Sequence, residues 1–240
     1  MRLPTQARTF YSCILFLLCC FSLLHSQTVE EIIDMEKEKI IAEIPLSPAH
    51  LHPTFQGSLH YLEEPQAQHH PFYLVNEWLV GTVISHNISF TEQSLKYDTY
   101  LDRLVWLNPS HPTDPIILNP SFVQAFQTGE SLFIWLGNEE TKGLTGYARL
   151  LFDGNVKLFQ KFTAKISRSG DNPYGTYVQK ASYYLQAGNT FFEIKSKKDL
   201  LDALPAQEAD IKAYLKQKKV NVRGIQAPQF IELLNYLPSI

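Results

Sequence analysis

Residues 72–195 are divided into short runs rich in Val, Ile, Phe, Tyr, Trp and Thr, with turn residues at intervals of about ten. This pattern is typical of antiparallel strands. The dipeptide Asp153-Gly154 separates two such runs and predicts a hairpin with a type I′ turn, because both residues tolerate positive φ. The segment 187–189 predicts a second hairpin. We therefore expect an antiparallel β-rich domain over residues 72–195.

The C-terminal residues 196–240 predict a helical segment packed on this sheet. Ser196 and Asp199 have the spacing of a capping box at the start of a helix. Pro205 ends that helix and opens a second one, since proline is tolerated in the first turn but not in a helix interior. Pro228 suits the first turn of a closing helix.

Residues 27–71 predict a helix followed by a lead-in rich in proline and histidine. Apolar residues recur at roughly helical spacing over 28–44, which favours an N-terminal amphipathic helix. The stretch 45–71 has poor periodicity and predicts irregular structure, with at most a short strand over 57–62. The fold class is thus α+β: mainly antiparallel β, as a meander or open sandwich of about eight to eleven strands, with the N-terminal helix and two or three C-terminal helices.

The first residues have the layout of a secretory signal peptide. An uncharged apolar run over 10–24 follows Arg2 and Arg8 and ends in small and polar residues. Its length of about 15 residues is below the ~20 that a spanning helix needs. Cleavage after Ser26 makes residues 1–26 the signal peptide and predicts an exported product without a transmembrane span. Lipidation at Cys20 and a retained anchor are the alternatives, although large residues precede that cysteine.

Cysteine and charge usage bound the class of protein. Cys13, Cys19 and Cys20 all lie in the apolar run, so the mature chain contains neither disulfides nor a thiol nucleophile. Cleavage also removes Arg2 and Arg8, which leaves 19 Lys and Arg against 24 Asp and Glu, a net charge of −5. This balance disfavours nucleic acid as a partner. A large chain without disulfides favours a bacterial protein that is periplasmic, cell-surface or extracellular.

Residues 97–103 (YDTYLDR) gather phenols, carboxylates and a guanidinium within one short segment. Such a mixture suits sugar binding or acid chemistry, and the candidate binding residues are Tyr97, Asp98, Tyr100 and Asp102. The alternative interpretation is a strand that leads into a turn, with the tyrosines packed across strands. A glycan-directed hydrolase would use Asp98, Asp102 or Glu193. Because the nucleophile motifs and phosphate-binding glycine loops are absent, we assign no catalytic residue and expect no cofactor.

His50 and His52 are the candidate metal ligands. Residues two apart share one face of an extended strand, and His60, His69 and His70 follow in the same proline-rich stretch. The alternative is that these histidines are solvated, because no carboxylate or thiol recurs at ligand spacing.

Basic residues are frequent near the C-terminus. They predict either a patch for an anionic component of the cell envelope or solvated helix faces that interact with helix dipoles. The residues concerned are Lys195, Lys197, Lys198, Lys212, Lys216, Lys218, Lys219 and Arg223.

Several short motifs carry a resemblance: WLVG at 78–81, YDTYLD at 97–102, Phe122 with Phe126, and the Tyr183-Tyr184 pair, followed by lysine-bearing terminal helices. Over about residues 72–236 the chain resembles a family of uncharacterised exported proteins of the Bacteroidota. The resemblance implies a periplasmic or surface-exposed β-rich domain and supplies no catalytic residue. The leading hypothesis is a non-enzymatic domain that binds another macromolecule of the cell envelope through its sheet; the hydrolase and the metal-binding module are the alternatives.

Overall fold

A computed structural model of the chain describes residues 51–86, 88–137 and 143–238. The predicted signal peptide over 1–26, the predicted helix over 28–44 and the candidate ligand His50 lie outside the described residues. None of the helices in the described part of the chain combines the length and the hydropathy that crossing a bilayer requires.

The described residues form an antiparallel sheet of eleven strands in the order β1-β5-β4-β3-β2-β6-β7-β8-β9-β10-β11. The predicted β-rich architecture is therefore confirmed. Strands β6 to β11 follow one another as a meander, and β2 joins them to the first strands through its pairing with β6. The strands are β1 Ser58–Leu59, β2 Leu79–Ser85, β3 Ile88–Asp98, β4 Arg103–Trp106, β5 Ile116–Ile117, β6 Ala125–Thr128, β7 Ser131–Trp135, β8 Tyr147–Asp153, β9 Val156–Ser169, β10 Asn172–Ala187 and β11 Thr190–Glu193.

The sheet is strongly curved. The N–H of Ala164 on β9 donates to the carbonyl of Thr99 at 3.0 Å, although four strands separate β9 from β3 in the sheet order. Gln68 and Phe72, in the chain between β1 and β2, form bridges to β10 and β3 respectively. The curvature encloses an apolar core whose largest fully buried side chains are aromatic: Phe55, Trp106, Phe126, Phe133 and Tyr147.

Three C-terminal helices cover the last strands, as predicted: α1 Lys197–Ala203, α2 Glu208–Lys218 and α3 Ala227–Tyr236. The side chain of Ser196 accepts a hydrogen bond from the Asp199 N–H, and the Asp199 carboxylate accepts one from the Ser196 hydroxyl at 3.0 Å, so the expected capping interaction is present. A second core lies between the helices and strands β9 and β10. Its fully buried residues include Leu158, Leu185, Leu200, Ile211, Phe230 and Leu233.

The predicted hairpin between β8 and β9 is confirmed, but its type I′ turn is wrong. Asp153 pairs with Lys157 and Phe152 pairs with Leu158, so Asp153 belongs to the ladder and the dipeptide Asp153-Gly154 does not form a two-residue turn. The register also shifts between Leu150 and Phe152, which places a bulge in β8. The extra residue on β8 shifts the residue pairs beyond it by one position, which changes where the hairpin closes.

The second predicted hairpin is confirmed. Ala187 pairs directly with Thr190, which leaves a two-residue turn of Gly188 and Asn189 between β10 and β11. Gly188 has a φ of 58°, a conformation that glycine adopts without strain.

Candidate functional site

The structure separates the four candidate residues of the 97–103 segment into three environments. The segment is the end of β3, a turn and the start of β4. Tyr97 and Asp102 enter a hydrogen-bonded network inside the curved sheet, whereas Asp98 pairs with His60. Tyr100 is 39% exposed. Tyr97 and Asp102 thus contact each other, whereas Asp98 and Tyr100 have other surroundings.

Asp102 is the centre of the network. Its Oδ1 accepts hydrogen bonds from the Tyr97 hydroxyl at 2.7 Å and from the Tyr147 N–H at 3.3 Å, and its Oδ2 pairs with Lys161 Nζ at 2.7 Å. Lys161 Nζ also donates to the Tyr147 carbonyl at 2.9 Å. Gly146 lies against this group, with a φ of 71°. The network ties the turn after β3 to strands β8 and β9.

Burial sets the protonation of the network. It lowers the pKa of Lys161, an effect that the charge of Asp102 partly opposes. It raises the pKa of both Tyr97 and Tyr147, and the charge of Asp102 raises each further. The two phenols therefore stay neutral and act as hydrogen-bond donors, which is a structural role.

These shifts predict alkaline unfolding. Because the pKa of Tyr97 and of Tyr147 is raised, the folded state keeps two protons that the unfolded state loses above pH ~10, so stability falls as the pH rises past that value. The lowered pKa values of Lys161 and Lys96 act in the opposite direction. Burial raises the pKa of further tyrosines in the same sense as Tyr97 and Tyr147: Tyr177, Tyr183, Tyr184 and Tyr214. We expect the last phenolate absorbance to appear together with the loss of circular dichroism. Its appearance in a folded protein would contradict the prediction.

Asp98 and His60 form a buried pair. Asp98 Oδ2 lies 2.9 Å from His60 Nε2, with side-chain exposures of 2% and 5%. The other oxygen of Asp98 accepts hydrogen bonds from the N–H groups of Tyr100 and Leu101, each at 2.9 Å. Asp98 thus caps the turn after β3 and orients the imidazole that follows β1.

His60 lines a cavity of about 380 Å³ beside β1, which we call the edge cavity. Phe72 and Trp78 line it together with Lys96, whose Nζ lies 4.6 Å and 4.7 Å from the two ring centroids. The same nitrogen donates to the carbonyl and the side-chain oxygen of Asn76, at 3.0 Å and 2.9 Å. Burial lowers the pKa of Lys96. The edge cavity is therefore aromatic, with one fixed cation between its rings.

The rim of the edge cavity is the open side of the sheet. β1 is the outermost strand, and the N–H of His60 donates to the Pro115 carbonyl next to β5 at 2.8 Å. Because neighbouring residues of a strand point their N–H groups to opposite sides, those of Leu59 and Tyr61 point away from β5. The side chains of Leu59 and Tyr61 are 46% and 72% exposed. Exposed apolar side chains around a cavity are typical of an interaction site.

Sequence reasoning missed the edge cavity. The stretch 45–71 predicts irregular structure with at most a short strand over 57–62, and that strand is present as β1. The apolar residues around His60 predict a short strand, but this pattern gives no indication that a cavity lies beside it. The cavity forms only because Phe72, Trp78 and Lys96 come from other parts of the chain.

His52, the described member of the candidate metal pair, has a structural role. Its Nδ1 accepts a hydrogen bond from the Thr54 N–H at 3.3 Å and lies 2.9 Å from the Thr54 hydroxyl. The residue caps the short 3₁₀ turn Pro53–Phe55, and its ring packs 5.0 Å from that of Phe90. Across residues 51–86, 88–137 and 143–238, no group of three or more His, Cys, Asp or Glu side chains is placed to hold a metal ion.

The three carboxylates of the hydrolase hypothesis have different partners. Asp98 pairs with His60 and Asp102 with Lys161, while Glu193 pairs with Lys195 Nζ at 2.6 Å beside the C-terminal helices. Glycoside hydrolysis uses two carboxylates that face each other across one bond. Each of these three carboxylates instead has a basic side chain as its partner.

Comparisons with known proteins assign no role to these residues. No family model, curated protein or solved structure matches the chain. The function must therefore be argued from the geometry of the described residues.

Proposed function

We propose that this chain is a non-enzymatic binding protein of a bacterial cell envelope, which binds an extended segment of a partner protein along β1. One observation carries the proposal: the open side of an outermost strand lies next to an aromatic cavity. Proteins that add a strand to a sheet edge use main-chain hydrogen bonds for affinity and side-chain pockets for specificity. Strand β1 supplies the free main-chain groups, and the edge cavity supplies the side-chain pocket.

The dimensions and chemistry of the edge cavity suit an apolar side chain. A cavity of about 380 Å³ is near the lower end of the range for ligand pockets, ~300–1,000 Å³, so it suits a single group. Phe72 and Trp78 give that group an apolar surface. Lys96 adds a positive charge that favours a neighbouring acidic residue in the partner.

The location in the envelope is supported by features of the sequence. The run over 10–24 has the composition of a signal peptide, and the chain resembles exported proteins of the Bacteroidota. An exposed apolar strand edge favours aggregation unless a partner covers it. A binding role for β1 explains why Leu59 and Tyr61 are kept exposed.

The proposal predicts that Leu59→Pro weakens peptide binding far more than Leu59→Ala. Proline removes the N–H that points to the open side, whereas alanine removes only the side chain. We expect the proline variant to bind at least about tenfold more weakly, which corresponds to ~1.4 kcal/mol. The measurement is the affinity of the purified protein for extended peptides selected from a library with the unchanged chain.

Thermal unfolding of both Leu59 variants provides the control for folding, since the β1–β5 pairing does not use the Leu59 N–H. Equal losses of affinity in the two folded variants would show that main-chain bonds at β1 do not contribute. A library that yields no binding peptide would reject the proposed function itself.

A further inference from the structure

A second cavity, of about 340 Å³, carries excess positive charge at the other end of the sheet order. We call it the cationic cavity; Lys180, Lys195, Arg223 and Glu193 line it. Glu193 is paired with Lys195. Neither Lys180 nor Arg223 forms an ion pair with any residue that the structure describes. The cavity therefore presents two uncompensated cations.

Gln160 adds a buried polar group to this cavity. The residue lines the cavity and is only 8% exposed. Its Nε2 lies 3.4 Å from the Tyr183 hydroxyl, but its Oε1 is buried without a hydrogen-bond partner among the described residues. Most buried polar atoms in proteins have a partner, and one that lacks it destabilises the fold. A ligand with a hydroxyl or N–H would supply the missing donor.

The main chain of β10 supplies a donor at the same place. β11 ends at Glu193, and the last contact along this edge is the Ile194 N–H that donates to the Tyr183 carbonyl at 2.9 Å. Alternate residues of a strand point to the same side, so the N–H of Ala181 points to the side that β11 has left. Ala181 also lines the cavity. Backbone N–H groups of this kind bind anions.

We propose that the cationic cavity binds an acidic sugar unit, with its anionic group at Lys180 and Arg223 and a hydroxyl donated to Gln160 Oε1. Arginine forms paired hydrogen bonds with either carboxylate or phosphate, so both kinds of acidic sugar share the required chemistry. The volume suits a single ring. This site uses β10 and the segment between α2 and α3, and it is independent of peptide binding at β1.

Calorimetry of the purified protein tests the proposal with four probes: glucuronate, glucose 6-phosphate, glucose and inorganic phosphate. We expect at least one acidic sugar to bind at least about tenfold more tightly than glucose or inorganic phosphate. An acidic sugar has both an anionic group and sugar hydroxyls, whereas glucose lacks the charge and inorganic phosphate lacks the sugar ring. The first two probes distinguish a carboxylate from a phosphate source. Absence of binding by both acidic sugars, or equal binding of inorganic phosphate, would overturn the proposal.

Matched variants locate the binding site. Arg223→Gln should weaken binding about tenfold, whereas Lys157→Gln, which removes the same charge from a lysine paired with Asp153, should leave it unchanged. Gln160→Met should weaken binding by up to about tenfold, since one neutral hydrogen bond is lost, and raise the midpoint of thermal unfolding, because it removes a buried atom without a partner. Equal effects of the Arg223 and Lys157 variants, or unchanged binding by Gln160→Met, would overturn the assignment.

Discussion

Gly146→Ala is expected to lower the free energy of unfolding by about 3–5 kcal/mol, a large part of the stability of a typical domain. A Cβ at this position would lie 1.6 Å from Asp102 Oδ2 and 2.8 Å from Lys161 Nζ. Asp102 would have to move, which leaves the Lys161 ammonium unpaired although its side chain is only 11% exposed. The left-handed backbone adds ~1–2 kcal/mol of strain for a residue with a side chain.

Gly129→Ala is the matched control for the backbone term. Gly129 also has a positive φ, 56°, but a Cβ there would meet no heavy atom within 4 Å. We expect it to lose only the strain of ~1–2 kcal/mol. Chemical denaturation of both variants gives the difference. If the two losses are equal, contact with Asp102 and Lys161 contributes nothing and the network is not a stabilising element.

Local signals account for the elements that the sequence predicted correctly. The Ser196–Asp199 capping pair and Pro205 act within one helical turn, so they identify the C-terminal helices without tertiary information. The hairpin at Gly188 likewise depends on neighbouring residues. The turn at Gly154 was predicted wrongly because the bulge in β8 changes the register several residues away.

The distant parts of β9 and β10 have no local sequence signal of this kind. The sequence pattern marks the two hairpin turns near Gly154 and Gly188, but it does not show that β9 continues to Ser169 or that β10 begins at Asn172. The added residues are largely polar, because much of this hairpin is exposed and packs little apolar surface. Hydrophobic alternation identifies a strand only where one face is buried.

In the candidate site, too, the sequence predicted local structure but not contacts between residues far apart in the chain. The sequence identified residues 97–103 as chemically unusual, and the alternative interpretation as a strand and a turn is confirmed. It did not identify the partners, since His60 is 38 residues from Asp98 and Lys161 is 59 residues from Asp102. Curvature of the sheet brings these groups together, and no local pattern encodes that curvature.

Asp98→Ala is the second change expected to have a large effect, a loss of about 3–5 kcal/mol in the free energy of unfolding. The substitution removes three hydrogen bonds: the contact with His60 and the bonds from the Tyr100 and Leu101 N–H groups. Bonds to charged groups contribute ~1.5–3 kcal/mol each, and the stranded imidazole stays buried. The losses are not additive, so the expected total lies below three full bonds.

Asp153→Ala provides the comparison for removing a carboxylate from an exposed pair. Asp153 pairs with Lys157, and both side chains are largely exposed, so the expected loss is below ~1 kcal/mol. Asp98→Asn should fall between the two, because its carbonyl can still accept from the turn while its amide must face His60. Denaturation that finds Asp98→Ala as stable as Asp153→Ala would mean that residues 97–103 form only a solvated turn. The expected order of stability is Asp153→Ala, then Asp98→Asn, then Asp98→Ala as the least stable variant. This order would support the conclusion that the buried pair fixes His60 at the wall of the edge cavity.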